Sequence, residues 1–171
     1  MKQDSLAKFI ERLQKIWGPL TSDLVAQSKE LMDELAKAPT SEPWLQELQK
    51  GFEGSRELYH DPSQGFILLA HTEKKDLYRA PHDHGNGWVI YAVQSGEMEM
   101  GTYARVPSKD EEFKIVRREK YRVMPGESRV YLPRDIHDTK CISDSVLMFR
   151  LTSIDLKDEV RLGRMRRYEG K

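Results

Sequence analysis

From Asp4 to about Gly51 the apolar positions recur every three or four residues. Leu6, Phe9, Ile10, Leu13 and Ile16 form one stripe, and Leu24, Leu31, Met32 and Leu35 form a second. This spacing predicts two amphipathic helices. Pro19 separates them, and Ser22 and Asp23 are placed to cap the second. A third, short helix is predicted from Ser41-Glu42-Pro43, with Ser41 as N-cap, an early proline, and Trp44, Leu45 and Leu48 on its apolar face. Beyond Gly51 the period shortens to that of strands. Strands are predicted near residues 56–59, 65–72, 76–81, 88–94, 96–106, 113–124, 128–132, 138–142 and 146–152. They are bounded by turn sequences such as Asp61-Pro62-Ser63-Gln64-Gly65, Ser95-Gly96, Pro125-Gly126 and Ser143-Asp144. Many short strands at nearly even spacing predict an antiparallel sandwich or barrel. The expected organisation is a helical segment (1–51) packed on a β barrel (52–154), followed by a basic tail (155–171), in a single domain.

Composition narrows the function classes. Lys plus Arg and Asp plus Glu are both 28, a formal net charge of zero, so no basic excess points to nucleic acid. The apolar runs at residues 65–70 and 88–93 are too short to span a bilayer, and the charged first fourteen residues do not read as a signal peptide. A single cysteine, Cys141, excludes an intrachain disulfide framework and fits a reducing cytoplasm. The tail carries six Lys or Arg residues over 155–171 and reads as a solvated strip or a lid over one barrel end.

The chemistry concentrates in Pro81-His82-Asp83-His84-Gly85-Asn86-Gly87-Trp88 and in Pro133-Arg134-Asp135-Ile136-His137. Residues two apart on a strand share a face, so His82 and His84 can address one point inside a barrel, with His137 arriving from another strand. Three imidazoles suit Fe, Zn, Cu or Ni better than Mg or Ca, which prefer oxygen.

The two segments resemble the paired cupin motifs, H-x-H followed by a glycine (Gly96) at the end of the next strand, then P-x-x-x-H. The resemblance implies a double-stranded β-helix, or jelly roll. Most cupins carry a glutamate five positions after the second histidine; here that position is Val89, leaving a three-histidine set without a carboxylate. In this respect the chain resembles the thiol dioxygenases, the cysteine dioxygenase group and its aminothiol relatives. Their second motif similarly combines a Pro-Gly turn (Pro125-Gly126), a proline (Pro133) and Asp-Ile-His (Asp135-Ile136-His137). The resemblance implies Fe(II) on His82, His84 and His137, and O₂-dependent oxidation of a small thiol to a sulfinic acid. Cysteine dioxygenases also have a downstream Ser-x-His-x-Tyr set. This chain reads Ser145-Val146-Leu147-Met148-Phe149-Arg150 there, so cysteine itself does not carry over as substrate.

Around that set the candidate substrate contacts are Trp88, Tyr91, Tyr103 and Tyr131 as pocket walls, and Arg56 and Arg150 as holders of a substrate carboxylate. Arg56 lies at the spacing where cysteine dioxygenases place such an arginine. Arg79 is expected to face away from His82 unless a bulge intervenes. Asp83 should point away from the ligands. Asp135 either orients a ligand histidine or stabilises the turn before His137, the turn being favoured. His60 and His71 read as structural or exposed. Two other readings stay open: a cupin enzyme of different chemistry (an oxygenase of carbon substrates, or a Zn or Ni Lewis-acid isomerase or hydrolase), and a non-catalytic metal or small-molecule sensor. A homodimer is compatible with the exposed barrel edges.

Overall fold

A computed structural model describes residues 2–168. Three helices, α1 (Ser5–Ile16), α2 (Ser22–Ala36) and α3 (Pro43–Gln49), precede nine strands. These are β1 (Ser55–His60), β2 (Ile67–Lys74), β3 (Tyr78–His82), β4 (Val89–Ser95), β5 (Met98–Pro107), β6 (Phe113–Val123), β7 (Ser128–Tyr131), β8 (Ile136–Cys141) and β9 (Ser145–Thr152); a short helix α4 (Leu156–Arg161) follows. None of the described helices is long and apolar enough to cross a membrane.

The helix starts differ from expectation in an instructive way. Asp4 caps α1, its carboxylate accepting the Ala7 N–H at 2.8 Å. Thr21, one residue earlier than anticipated, caps α2 through its hydroxyl and the Leu24 N–H (3.1 Å). Ser41 does not cap α3. The N-cap residue is Glu42, whose carboxylate instead reaches across to Ser5 Oγ (2.9 Å) and to Trp44 Nε1 (2.6 Å), tying the third helix to the first.

The strands form two antiparallel sheets, β1-β2-β9-β4-β7 and β3-β8-β5-β6, folded over each other as a jelly roll. Strand alternation divides the five-stranded sheet into two apolar faces. Leu68, Ala70, Ile90, Ala92, Phe149 and Leu151 pack against the buried faces of α1–α3. The intervening residues Val89, Tyr91, Val93, Val146 and Met148 point into the barrel, where they meet Met98, Met100, Tyr131 and Cys141. The helices therefore bury one face of this sheet and leave the barrel interior to the other. At the β4–β5 turn Gly96 has φ +82°, and a Cβ there would lie 2.2 Å from the Ser145 carbonyl oxygen. Only glycine allows that approach.

Candidate metal centre

The two ligand-bearing strands pair directly: His82 on β3 stands in register with His137 on β8, which in turn pairs with Thr102 on β5. His84 follows His82 by two residues and returns to the same side. The three imidazoles form a nearly equilateral triangle, with ring centroids 5.1 Å (His82–His84), 4.7 Å (His82–His137) and 5.0 Å (His84–His137) apart. One nitrogen from each lies within 4.8 Å of the others, and among the described residues no carboxylate or thiolate joins the group. His84 and His137 are fully buried, and His82 is half-buried.

Orientation and protonation both suit a cation. His82 Nδ1 lies 2.8 Å from the Ala80 carbonyl and donates to it, which leaves Nε2 free to face inward. Nε2 of His84 and Nε2 of His137 stand 3.4 Å apart. Two nitrogens about 2.0–2.1 Å from one ion are separated by about 3.0–3.4 Å at angles between octahedral and tetrahedral, so the observed spacing fits a shared metal. Burial holds all three imidazoles below the usual histidine range, and His84 and His137 well below it. The neighbouring Arg150 pushes in the same direction for each. The rings are therefore neutral near pH 7, with lone pairs available to a metal. Nδ1 of His84 and Nδ1 of His137 are buried without a protein partner, so packing does most to set those two rings.

Tyrosines supply that packing. The Tyr131 ring lies 3.9 Å from the His137 ring, and the Tyr91 ring lies 5.3 Å from it. Tyr91 Oη is 3.2 Å from His84 Nε2, and burial raises the Tyr91 phenol above its ordinary pKa, keeping it protonated. Tyr131 bonds Tyr121 Oη (2.6 Å) and Met100 Sδ (3.1 Å). A cleft of about 600 Å³, walled by Thr102, Tyr121, Arg129 and Tyr131, adjoins the cluster at Tyr131. Arg150 sits opposite Tyr91 on β9 with its side chain toward the interior, and its Nε–H is buried without a partner.

Three expected contacts point away from the histidines. Arg56 is in register with Ala70, which faces the helices; its guanidinium rests on Phe52, so it stands on the wrong side of the sheet to meet a substrate. Trp88 belongs to the same helix-facing layer and stacks on Trp17 at 5.4 Å. Tyr103 points out of the four-stranded sheet, where its hydroxyl bonds Asp138 Oδ2 at 2.6 Å, and it borders both the cleft of about 600 Å³ and a second of about 970 Å³. Asp135 takes the favoured of its two roles, accepting from the Leu132 N–H at 2.7 Å in the turn before His137. Arg79 stands on the His82 side after all, because the pairing of β3 with β8 shifts between Arg79 and His82; still exposed, it meets the buried Glu73 at 2.8 Å. His71 is buried in the interior, where burial, Arg150 and Arg79 lower its pKa to about 3.

The loops carrying the ligands are tied together by residues without a motif. Arg134, at φ +69°, donates its N–H to the Gly85 carbonyl (3.1 Å) and its guanidinium to Asn86 Oδ1 (3.0 Å) and the Arg164 carbonyl (2.9 Å). Glu159, buried on α4, accepts the Asn86 N–H (3.0 Å) and pairs with Arg164 (2.6 Å). No local spacing could have revealed contacts of such long sequence separation.

No family model matches the chain, and no curated protein matches it. Several solved structures are similar. KdgF from Halomonas sp. is 18% identical, over 57% of this chain and 74% of that one, with a TM-score of 0.46. The cupin domain of Schizosaccharomyces pombe Cnp3 is 11% identical, over 64% and 69%, with a TM-score of 0.46. A recombinant oxalate oxidase in complex with glycolate is 19% identical, over 68% of this chain and 55% of that one, with a TM-score of 0.45. At these identities and TM-scores none of these proteins' ligands or activities transfers to this chain.

Proposed function

We propose that the protein is a metal-dependent dioxygenase that binds Fe(II) on His82, His84 and His137 and oxidises a small thiol to a sulfinic acid. The observation that carries this reading is the convergence of three neutral imidazoles with no carboxylate among them. A 2-His-1-carboxylate set already compensates part of the charge of a divalent ion; three neutral ligands leave it whole. The missing negative charge is then supplied by the substrate, and a thiolate suits that role because metal coordination favours it over the thiol. When bound, Fe(II) supplies the redox chemistry by which R–SH and O₂ become R–SO₂H, both oxygen atoms passing to sulfur.

The chain's own residues contribute position and polarity. Ala80 holds the His82 ring so that Nε2 faces inward. Tyr91, a neutral phenol beside His84, offers a hydrogen bond at the edge of the site. Tyr131 closes the wall against His137. Arg150 brings a cation into the interior with an unused N–H. Arg150 is half-buried, and a carboxylate on the thiol substrate would accept from that N–H.

Elemental analysis of anaerobically purified protein, followed by O₂ uptake against a panel of small thiols with and without a carboxylate, tests the proposal. About one iron per chain and uptake with a carboxylated thiol are expected. Zinc or nickel in the site, or iron that consumes no O₂ with every thiol, would overturn the thiol chemistry while leaving the metal site standing.

A further inference from the structure

The residue between the first two histidines shows what holds them. Asp83 points away from the metal side of the strand and is fully buried. Its Oδ1 accepts the Gly85 N–H and the Arg166 N–H, both at 3.0 Å. Its Oδ2 accepts the Tyr168 hydroxyl at 2.8 Å and the Arg105 guanidinium at 3.2 Å. The main chain repeats the pattern: the Asp83 N–H donates to the Arg166 carbonyl (2.9 Å), the Tyr168 N–H donates to the Pro81 carbonyl (2.8 Å), and His82 bridges Arg167. Residues 166–168 thus run antiparallel along the free edge of β3, beside the ligands. Arg105 and Arg166 lie over the Tyr168 and Phe113 rings at 5.0–5.5 Å, fixing the arm from outside.

In an extended segment successive side chains alternate, so a rotation that moves Asp83 moves His82 and His84 with it. We propose that this C-terminal arm, acting through Asp83 and Tyr168, is a positioning element of the metal centre, and that its docking and metal binding are coupled. The inference rests on the three-histidine metal reading. It does not depend on which metal or substrate is native. Reciprocity then requires that whatever loosens the arm weakens the metal, and that the metal tightens the arm.

Cobalt(II) binding to the full chain tests this, read by chelator competition and by the ligand-field absorption bands. Tyr168→Phe removes one hydroxyl from Asp83, and Arg166→Pro removes one N–H from it. Each is expected to weaken Co(II) by about threefold to tenfold, less than the loss of a direct partner of a metal ligand because Asp83 lies between, and to shift the absorption bands. Arg161→Ala, on the exposed side of α4, is expected to change neither. Hydrogen exchange at the Arg166 and Tyr168 amides is expected to slow when Co(II) is added. If Arg166→Pro fails to fold, the milder Tyr168→Phe carries the comparison. Wild-type affinity and bands in Tyr168→Phe, with amide exchange indifferent to metal, would overturn the positioning role alone. A wild-type chain that binds no Co(II) would overturn the metal reading and the inference with it.

Discussion

The two sides of the tripeptide His82-Asp83-His84 could hardly be more different. On the inner side the buried imidazoles keep few hydrogen bonds: Nδ1 of His84 has no protein partner, and Nε2 of His84 and His137 face each other. On the outer side Asp83 is equally buried but accepts four hydrogen bonds. Buried polar groups are ordinarily satisfied. A segment that saturates one face and leaves the other short of partners is built to receive something on the second. The saturated face supplies rigidity, and the unsatisfied face supplies affinity.

Breaking the saturated face should have the largest effect on stability. Asp83→Ala strands the Tyr168 hydroxyl and the Arg166 N–H, and should destabilise by about 3 kcal/mol in urea unfolding. Gly85→Ala tests the same face by steric means: at φ +62° its new Cβ would lie 2.3 Å from Glu159 Oε2. A loss of about 1–3 kcal/mol is expected.

The inner face can be sharpened by pH. His71 has a pKa of about 3 when folded and near 6.5 when unfolded. The unfolded chain binds the extra proton, so this histidine's stability contribution is full above pH 6.5 and is lost as pH falls toward 3. Replacing His71 by Gln should flatten the acid limb of unfolding free energy in that window by up to a few kcal/mol; an unchanged limb would count against a neutral buried His71.

A smaller effect is expected from Arg150→Met, which should raise KM for a carboxylated thiol by about tenfold, or about 1.4 kcal/mol, and spare a thiol without a carboxylate. Smallest of all, Arg56→Ala should leave KM unchanged and shift stability by no more than about 0.5 kcal/mol, since Arg56 lies on the helix side of the sheet.

Most of the scaffold was legible because period is a local property. The change from helical to alternating spacing near Gly51, and the nine strands after it, follow from neighbouring residues alone. The histidine set was legible too, since H-x-H needs only strand alternation and His137 carries its own motif. Parity could also have separated Trp88 from Tyr91: three positions apart on one strand, they cannot share a face. A bulge defeated the same rule elsewhere. The shift between Arg79 and His82 brings Arg79 to the His82 side, whereas Tyr103 obeys the rule, since alternation from the inward Met98 and Met100 turns it outward. The backing of the site was not legible at all, because Asp83, Arg105 and Tyr168 meet only after the barrel has closed.

Whether His82, His84 and His137 hold one metal ion between them is decided by metal stoichiometry of the wild-type chain beside His84→Ala and His137→Ala. About one ion per wild-type chain is expected, and essentially none in either variant, with both still folded. Full stoichiometry in both variants would place the metal elsewhere.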